Sequence, residues 1–69
     1  MTFSEYRKAA GFSTQDQLAK KLGLKRSAIA KWETGRTYPQ VPMLSTVANI
    51  LNITEGEIIT AINSVRNTS

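Results

Sequence analysis

Apolar side chains recur every three or four residues in five segments of this chain, and polar residues fill the positions between them. This spacing is typical of short amphipathic α-helices, and no segment alternates with the two-residue period of a β-strand. Together with start and stop signals, the pattern predicts helices over about 3–10, 15–22, 26–34, 41–51 and 54–65. The predicted fold class is therefore all-α, with five short helices.

Capping residues support three of the predicted helix starts. Each has a threonine followed three residues later by glutamate or glutamine, which is the capping-box pattern: Thr2 with Glu5, Thr14 with Gln17, and Thr54 with Glu57. Gly11, Gly23 and Asn52 follow three of the segments and suit the left-handed conformation that ends a helix. Lys25, before the third segment, is a poor capping residue.

The stretch over 15–35 reads as two short helices joined by a tight turn at Gly23. Ala19 is small where the two helices would cross, and five apolar residues would hold the pair together: Leu18, Leu22, Leu24, Ile29 and Trp32. This is the helix-turn-helix arrangement, whose second helix enters the major groove of DNA. An ordinary helical hairpin is the alternative, since many small bundles contain one.

The chain has 69 residues, 41% of them hydrophobic, which suits one folded domain with a small core. We expect this domain to span 1–65 and residues 66–69 to be a frayed tail. No apolar run approaches membrane-spanning length, and nothing resembles a signal peptide. We therefore expect a cytoplasmic protein without a membrane partner.

The sequence offers little for catalysis or metal binding. It has no cysteine and no histidine, so it lacks thiolate ligands and the commonest general base. Ser27 and Lys31 have the spacing of a serine–lysine pair, but no oxyanion loop or cleft-sized domain supports that interpretation. We predict no enzyme activity, no metal, no cofactor and no small-molecule ligand.

Positive charge is concentrated on the helix-turn-helix stretch. The net charge is +4, and six of the nine basic residues lie close together: Lys20, Lys21, Lys25, Arg26, Lys31 and Arg36. Between the first and last of these six residues, 20 and 36, Glu33 is the only acidic residue. A solvated basic face is the simpler interpretation, but its coincidence with the helix-turn-helix favours a surface for a polyanion.

The third segment, placed on a helical wheel, separates into two faces. Ile29, Trp32 and Glu33 fall on one side. The other side is polar and basic, and it is the one expected in the groove: Arg26, Ser27, Ala30, Lys31 and Thr34. Trp32 has two interpretations, stacking on a base or packing in the core beside Ile29, and core packing is favoured.

These motifs resemble the lambda repressor-like family, also called the Cro/C1 or XRE type. The resemblance covers about 3–62, and its most specific matches are Thr14-Gln15, Leu18-Ala19, Leu22-Gly23-Leu24, and Ile29 with Lys31-Trp32-Glu33 and Gly35. It implies a five-helix DNA-binding domain with the helix-turn-helix at helices two and three. Family members are bacterial and phage transcription regulators, and many bind palindromic operators as dimers.

The resemblance also implies roles for individual residues. Base contacts are expected from Arg26, Ser27, Lys31 and Ala30, with arginine or lysine reading guanine and alanine touching a thymine methyl. Backbone contacts are expected from Gln15, Lys25, Thr34, Arg36, Thr37 and Tyr38. Phosphate contact alone remains the alternative for Arg26 and Lys31. Arg7 and Glu33 match positions that pair as a structural ion pair.

The predicted function is a sequence-specific double-stranded DNA-binding transcription regulator, a phage or bacterial Cro/C1-type repressor acting as a homodimer on its operator. The hypothetical dimer surface is on the fifth helix: Ile58, Ile59, Ile62 and Val65. The alternative to a dimer surface is that these four side chains complete the core of the monomer. Three other functions remain open: an antitoxin, a restriction-modification controller, or a protein-interaction module that does not bind DNA. The sequence gives neither the operator nor the sign of regulation.

Overall fold

The computed structural model describes residues 1–66 of the chain and contains five helices: α1 (Phe3–Ala9), α2 (Gln15–Leu22), α3 (Arg26–Glu33), α4 (Val41–Leu51) and α5 (Glu55–Arg66). Within that range no residue lies in a strand. The predicted all-α fold is confirmed, and α1 and α3 each end one residue earlier than the pattern predicted. No helix in the described part of the chain has both the length and the apolar character needed to cross a membrane.

Local hydrogen bonds begin three of the helices as the capping-box pattern predicted. Thr2, Thr14 and Thr54 each accept from the backbone N–H three residues later, at 3.0–3.2 Å. The return bonds run from the threonine N–H to the side chain of Glu5, Gln17 or Glu57. Hydrogen bonds from Thr2 and Thr54 lower the pKa of Glu5 and Glu57 respectively.

The first four helices end in one shared motif. A residue in the left-handed conformation is followed by a backbone N–H that donates to the carbonyl five residues earlier, which satisfies an otherwise unpaired helix end. The left-handed residues are Gly11, Gly23, Gly35 and Asn52, with φ of +96°, +71°, +77° and +57°. The corresponding N···O distances are 3.1, 2.8, 2.9 and 3.0 Å.

All five helices contribute side chains to one core. Its largest fully buried side chains are Phe3, Leu18, Ile29, Ile58, Ile62 and Val47. Trp32 is 5% exposed, and its ring meets the Phe3 ring edge to face at 5.9 Å between centroids. Trp32 is thus a core residue, because a ring this buried has no face left to stack on a base.

The structure corrects two predictions about α5. Ile58 and Ile62 are completely buried in the monomer, so they belong to the core and cannot form the predicted dimer surface. Ile59 and Val65 are only half-buried. Arg66, assigned to the frayed tail, is the last residue of α5 because it packs against Gly35 and the ring of Tyr38. The rest of that tail, 67–69, lies outside the described residues.

Candidate nucleic-acid interface

The helix-turn-helix is formed by α2, the turn at Gly23, and α3. The N–H of Leu24 donates to the Ala19 carbonyl at 2.8 Å, so the chain reverses directly after α2. Ala19 is 1% exposed where α2 packs on α3, and the neighbouring Leu18 and Ile29 are fully buried. This packing fixes α3 on the body of the domain and leaves its other side facing solvent.

The solvent-facing side of α3 forms a ridge between two concave surfaces. Ser27 and Lys31 line both concavities and therefore form the crest. On one side a shallow depression is lined by Ser27, Ala30, Lys31, Thr34 and Arg36. The structure thus brings together on one surface three of the four predicted base-contacting residues and two of the predicted backbone contacts.

The second concavity is a groove of about 560 Å³ between α3 and the segment that leads into α4. Its lining includes apolar Leu24, Ala28, Trp32, Pro39 and Met43. Polar groups on the lining come from both sides: Lys25, Ser27 and Lys31 from the α3 side, and Thr37, Tyr38 and Gln40 from the segment before α4. The groove therefore places Thr37 and Tyr38 opposite the exposed side of α3.

Arg26 and Gln15, two of the predicted DNA contacts, are each the first residue of a helix and lie outside both concavities. Arg26 is the exposed first residue of α3, next to Lys25. Lys25 precedes the helix and makes no side-chain capping bond, as its identity predicted. Gln15 is the half-buried first residue of α2. Arg26 and Lys25 thus add two exposed cations at the start of the ridge.

A buried network joins the first three helices at the end of α3. Arg7 Nε donates to Glu33 Oε2 at 2.7 Å, and the two side chains are 6% and 10% exposed. Gln15 Nε2 donates to Glu33 Oε1 at 3.0 Å. The Arg7 guanidinium also donates to the Phe12 carbonyl at 2.8 Å and to Ser4 Oγ at 3.2 Å. The carboxylate of Glu33 thus fixes α3 against α1 and α2 and holds the side chain of Gln15.

This network leaves the basic charge of the ridge unopposed by its nearest carboxylate. The six basic residues between 20 and 36 are all exposed: Lys20, Lys21, Lys25, Arg26, Lys31 and Arg36. Glu33 is the one acidic residue among them, and it lies inward against Arg7. Four of them, Lys25, Arg26, Lys31 and Arg36, lie on or beside the α3 ridge, which therefore presents a positive field suited to a polyanion.

The hydroxyl groups of Thr34 and Tyr38, both predicted to contact phosphates, have hydrogen-bond partners within the protein. The Thr34 hydroxyl lies 2.9 Å from the Ala30 carbonyl and 3.2 Å from that of Lys31, so its proton is used at the end of α3. The half-buried Tyr38 donates its hydroxyl proton to Asn63 Oδ1 on α5. Because each hydroxyl has a single proton, Tyr38 is a structural residue here, not a phosphate donor.

Sequence reasoning missed the α5 residues that support this loop. Asn63 accepts from Tyr38, and the Arg66 guanidinium lies 5.2 Å from the centre of the Tyr38 ring. The sequence offered no local signal for this contact, because Tyr38 and Asn63 are 25 positions apart. The last turn of α5 thus holds the segment that forms one wall of the groove.

Tyr38→Phe should lower the free energy of unfolding by about 0.5–1.5 kcal/mol, because it removes one hydrogen bond and leaves the ring in place. Urea denaturation measures this loss. Tyr6→Phe is the matched control, since the Tyr6 hydroxyl makes a longer, exposed bond of 3.4 Å to Glu57 and its loss should be smaller. Equal losses in the two variants would contradict a structural role for the Tyr38 hydroxyl.

Comparison with known proteins agrees with this geometry. A family model described as helix-turn-helix matches residues 4–58. The chain is similar to the HTH-type transcriptional activator BcrR of Enterococcus faecalis, with 39% identity over 46 residues. That match covers 67% of this chain and spans only 22% of the length of the relative. No solved structure matches the chain. Because the family model covers most of its residues, the chain belongs to the helix-turn-helix family, and the Cro/C1-type resemblance of its sequence is confirmed.

Proposed function

We propose that this chain is a sequence-specific double-stranded DNA-binding transcription regulator that reads an operator through the major groove with α3. The basic ridge of α3, with its crest at Ser27 and Lys31, carries the proposal. A helix of this size fits the major groove, where each base pair presents a distinct pattern of donors and acceptors. A regulator of this kind works where the chromosome is, which is the cytoplasm of a bacterium.

Base reading is assigned to the exposed side chains of α3. Arg26 donates to O6 and N7 of a guanine, and Lys31 reaches the same atoms as a point charge. Ser27 shares the crest with Lys31, and its hydroxyl either donates or accepts a hydrogen bond, so it discriminates weakly between bases. Ala30, which is half-buried in the shallow depression, is placed to touch a thymine methyl.

Backbone contact is assigned to residues around the ridge. Lys25, Arg36 and Thr37 are exposed and lie on the walls of the two concavities. Gln15 has a second amide hydrogen besides the one given to Glu33, and this hydrogen is available for a phosphate. Such contacts set the position of the protein on the duplex and carry no sequence information themselves.

The proposed operator is two-fold symmetric, and the chain occupies it as a homodimer. One copy offers few phosphate contacts, and a second copy doubles them and makes binding steeper in salt. Half-sites would lie about one helical turn, or a multiple of it, apart.

We propose repression as the mode of action, because covering a promoter needs only the DNA-binding surface. Activation, the mode that the name of the enterococcal relative states, needs in addition a surface that contacts polymerase. Transcription in vitro from a promoter carrying the selected site distinguishes the two. A fall in transcript supports repression, and a rise overturns it.

Selection of a random duplex library with the wild type and with Arg26→Ala tests base reading. We expect the wild type to enrich a symmetric site with guanine in each half. Arg26→Ala should weaken binding to that site by about 1–3 kcal/mol and relax the preference at the guanine position. Binding is measured by fluorescence anisotropy at moderate salt.

Arg36→Ala is the matched control, since Arg36 is an exposed arginine beside the same helix but is assigned to a phosphate. It should weaken binding to all sequences alike and reduce the salt dependence by about one phosphate contact. Wild-type binding without enrichment would mean phosphate contact only. Absence of binding would favour the protein-interaction module.

A further inference from the structure

A long uncharged segment follows the basic stretch. No charged residue occurs between Arg36 and Glu55, although 20% of the residues in the chain are charged. The segment includes all of α4, from Val41 to Leu51. The surface of α4 therefore differs in kind from the basic ridge beside it.

The outward side of α4 is accessible and partly apolar. We call it the α4 surface, and its exposed residues are Val41, Pro42, Ser45, Thr46 and Asn49. Val41 is 79% exposed, and the other exposed large hydrophobic side chain among the described residues is Met1, at 66%. The opposite side of α4 is in the core, through Val47, Ala48 and Leu51. One side of the helix is thus used by the fold and the other is open.

Charge indicates which occupant this surface fits. It has no cation for a phosphate or an acidic peptide and no carboxylate for a basic partner. In a two-fold dimer, residues near the axis face their own copies, so any charge there would face a like charge. Two copies that each carry +4 approach with least repulsion where neither has a charge. A second copy of this chain is the partner whose charge pattern matches.

The α4 surface is also continuous with the proposed DNA interface. Gln40 and Met43, on either side of Val41, line the groove that Ser27 and Lys31 border on α3. If two copies meet through the start of α4, the α3 ridge of each copy therefore lies next to the contact between them.

We propose that the α4 surface, with the exposed Val41 at its N-terminal end, is the contact between two copies of this chain on DNA. The proposal deepens the proposed function and rests on it. It replaces the surface predicted on α5, two of whose four residues are buried in the core. Thr60 is an exposed residue on the outer side of α5, next to the surface predicted there, which makes it the appropriate control position.

Opposite charges at Val41 give the direct test. Val41→Asp and Val41→Lys should each lower the affinity for a two-half-site duplex, taken from the wild-type selection, relative to a duplex with one half-site, by about 5- to 150-fold. An equimolar mixture of the two variants should recover affinity, because aspartate then faces lysine across the axis. An effect on DNA contact alone predicts that the mixture lies between the two variants. That outcome, or recovery by Thr60→Asp mixed with Thr60→Lys instead, overturns the proposal.

Cross-linking gives a readout that does not depend on the operator. The chain has no cysteine, so Val41→Cys reacts with a short bis-maleimide only at the introduced thiol. With random-sequence duplex present, Val41→Cys should form covalent dimer faster than Thr60→Cys. Equal rates overturn the α4 surface whether or not the wild type selects an operator. Faster dimer formation without enrichment of any site upholds the surface and counts against the proposed function. Circular dichroism melts confirm that the variants are folded, which the exposure of both positions favours.

Discussion

Arg7→Ala should lower the free energy of unfolding by about 3–5 kcal/mol, because it leaves the buried carboxylate of Glu33 without its cation. The two side chains are 6% and 10% exposed, so water replaces little of the lost interaction. A domain of 69 residues has a typical stability of about 3–10 kcal/mol, so this loss is a large part of the total. Urea denaturation with a circular dichroism readout measures it.

The double variant Arg7→Ala/Glu33→Gln separates the ion pair from other effects of shortening Arg7. Glutamine keeps an oxygen that accepts from Gln15 and removes the charge that Arg7→Ala leaves unpaired. The double variant should therefore be more stable than Arg7→Ala alone. Strictly additive losses would contradict a coupled pair.

Gly35→Ala should lower the free energy of unfolding by about 2–4 kcal/mol, through backbone strain and steric overlap. The φ of Gly35 is +77°, a conformation that disfavours a Cβ. A Cβ built at this position lies 2.5 Å from Arg66 Cγ and 3.1 Å from the Arg66 backbone nitrogen. Backbone atoms cannot move aside as a flexible side chain does, so the last turn of α5 must shift. Urea denaturation again gives the magnitude.

Gly23→Ala is the matched control for this effect. Gly23 has a similar φ of +71°, but no atom lies within 4 Å of a Cβ built there. It should show the strain alone, about 1–2 kcal/mol. The same Gly35→Ala change in an Arg66→Ala background should cost less than in the wild type, because the Cγ overlap is gone. If both substitutions lowered the free energy of unfolding equally, the contact between Gly35 and α5 would contribute nothing to the effect of Gly35→Ala.

The helices were predictable because their signals are local. The three capping boxes and the left-handed ends at Gly11, Gly23 and Asn52 involve residues within about two turns of one another, so spacing in the sequence specifies them. The inward and outward sides of α3 likewise follow from helical period alone. Burial of Trp32 against Phe3 agrees with that period.

The rest depends on contacts between distant parts of the chain. The pattern could not distinguish Ile58 and Ile62, which are buried, from Ile59, which is half-buried, because their neighbours come from other helices. The bond from Tyr38 to Asn63 joins residues 25 positions apart, and no local signal pairs them. The groove beside α3 has the same origin, since its walls meet only in the folded domain.

The repeated helix endings have a consequence for how the domain folds. Each of the first four helices ends in a hydrogen bond that spans only five residues, and three helices begin with capping boxes that span three. The hydrogen bonds that set helix length are therefore local, and closing such short loops costs little chain entropy. Helical domains, whose contacts are mostly local, typically fold in microseconds to milliseconds. A chain released from the ribosome would thus reach its DNA-binding form far faster than the seconds that its synthesis takes.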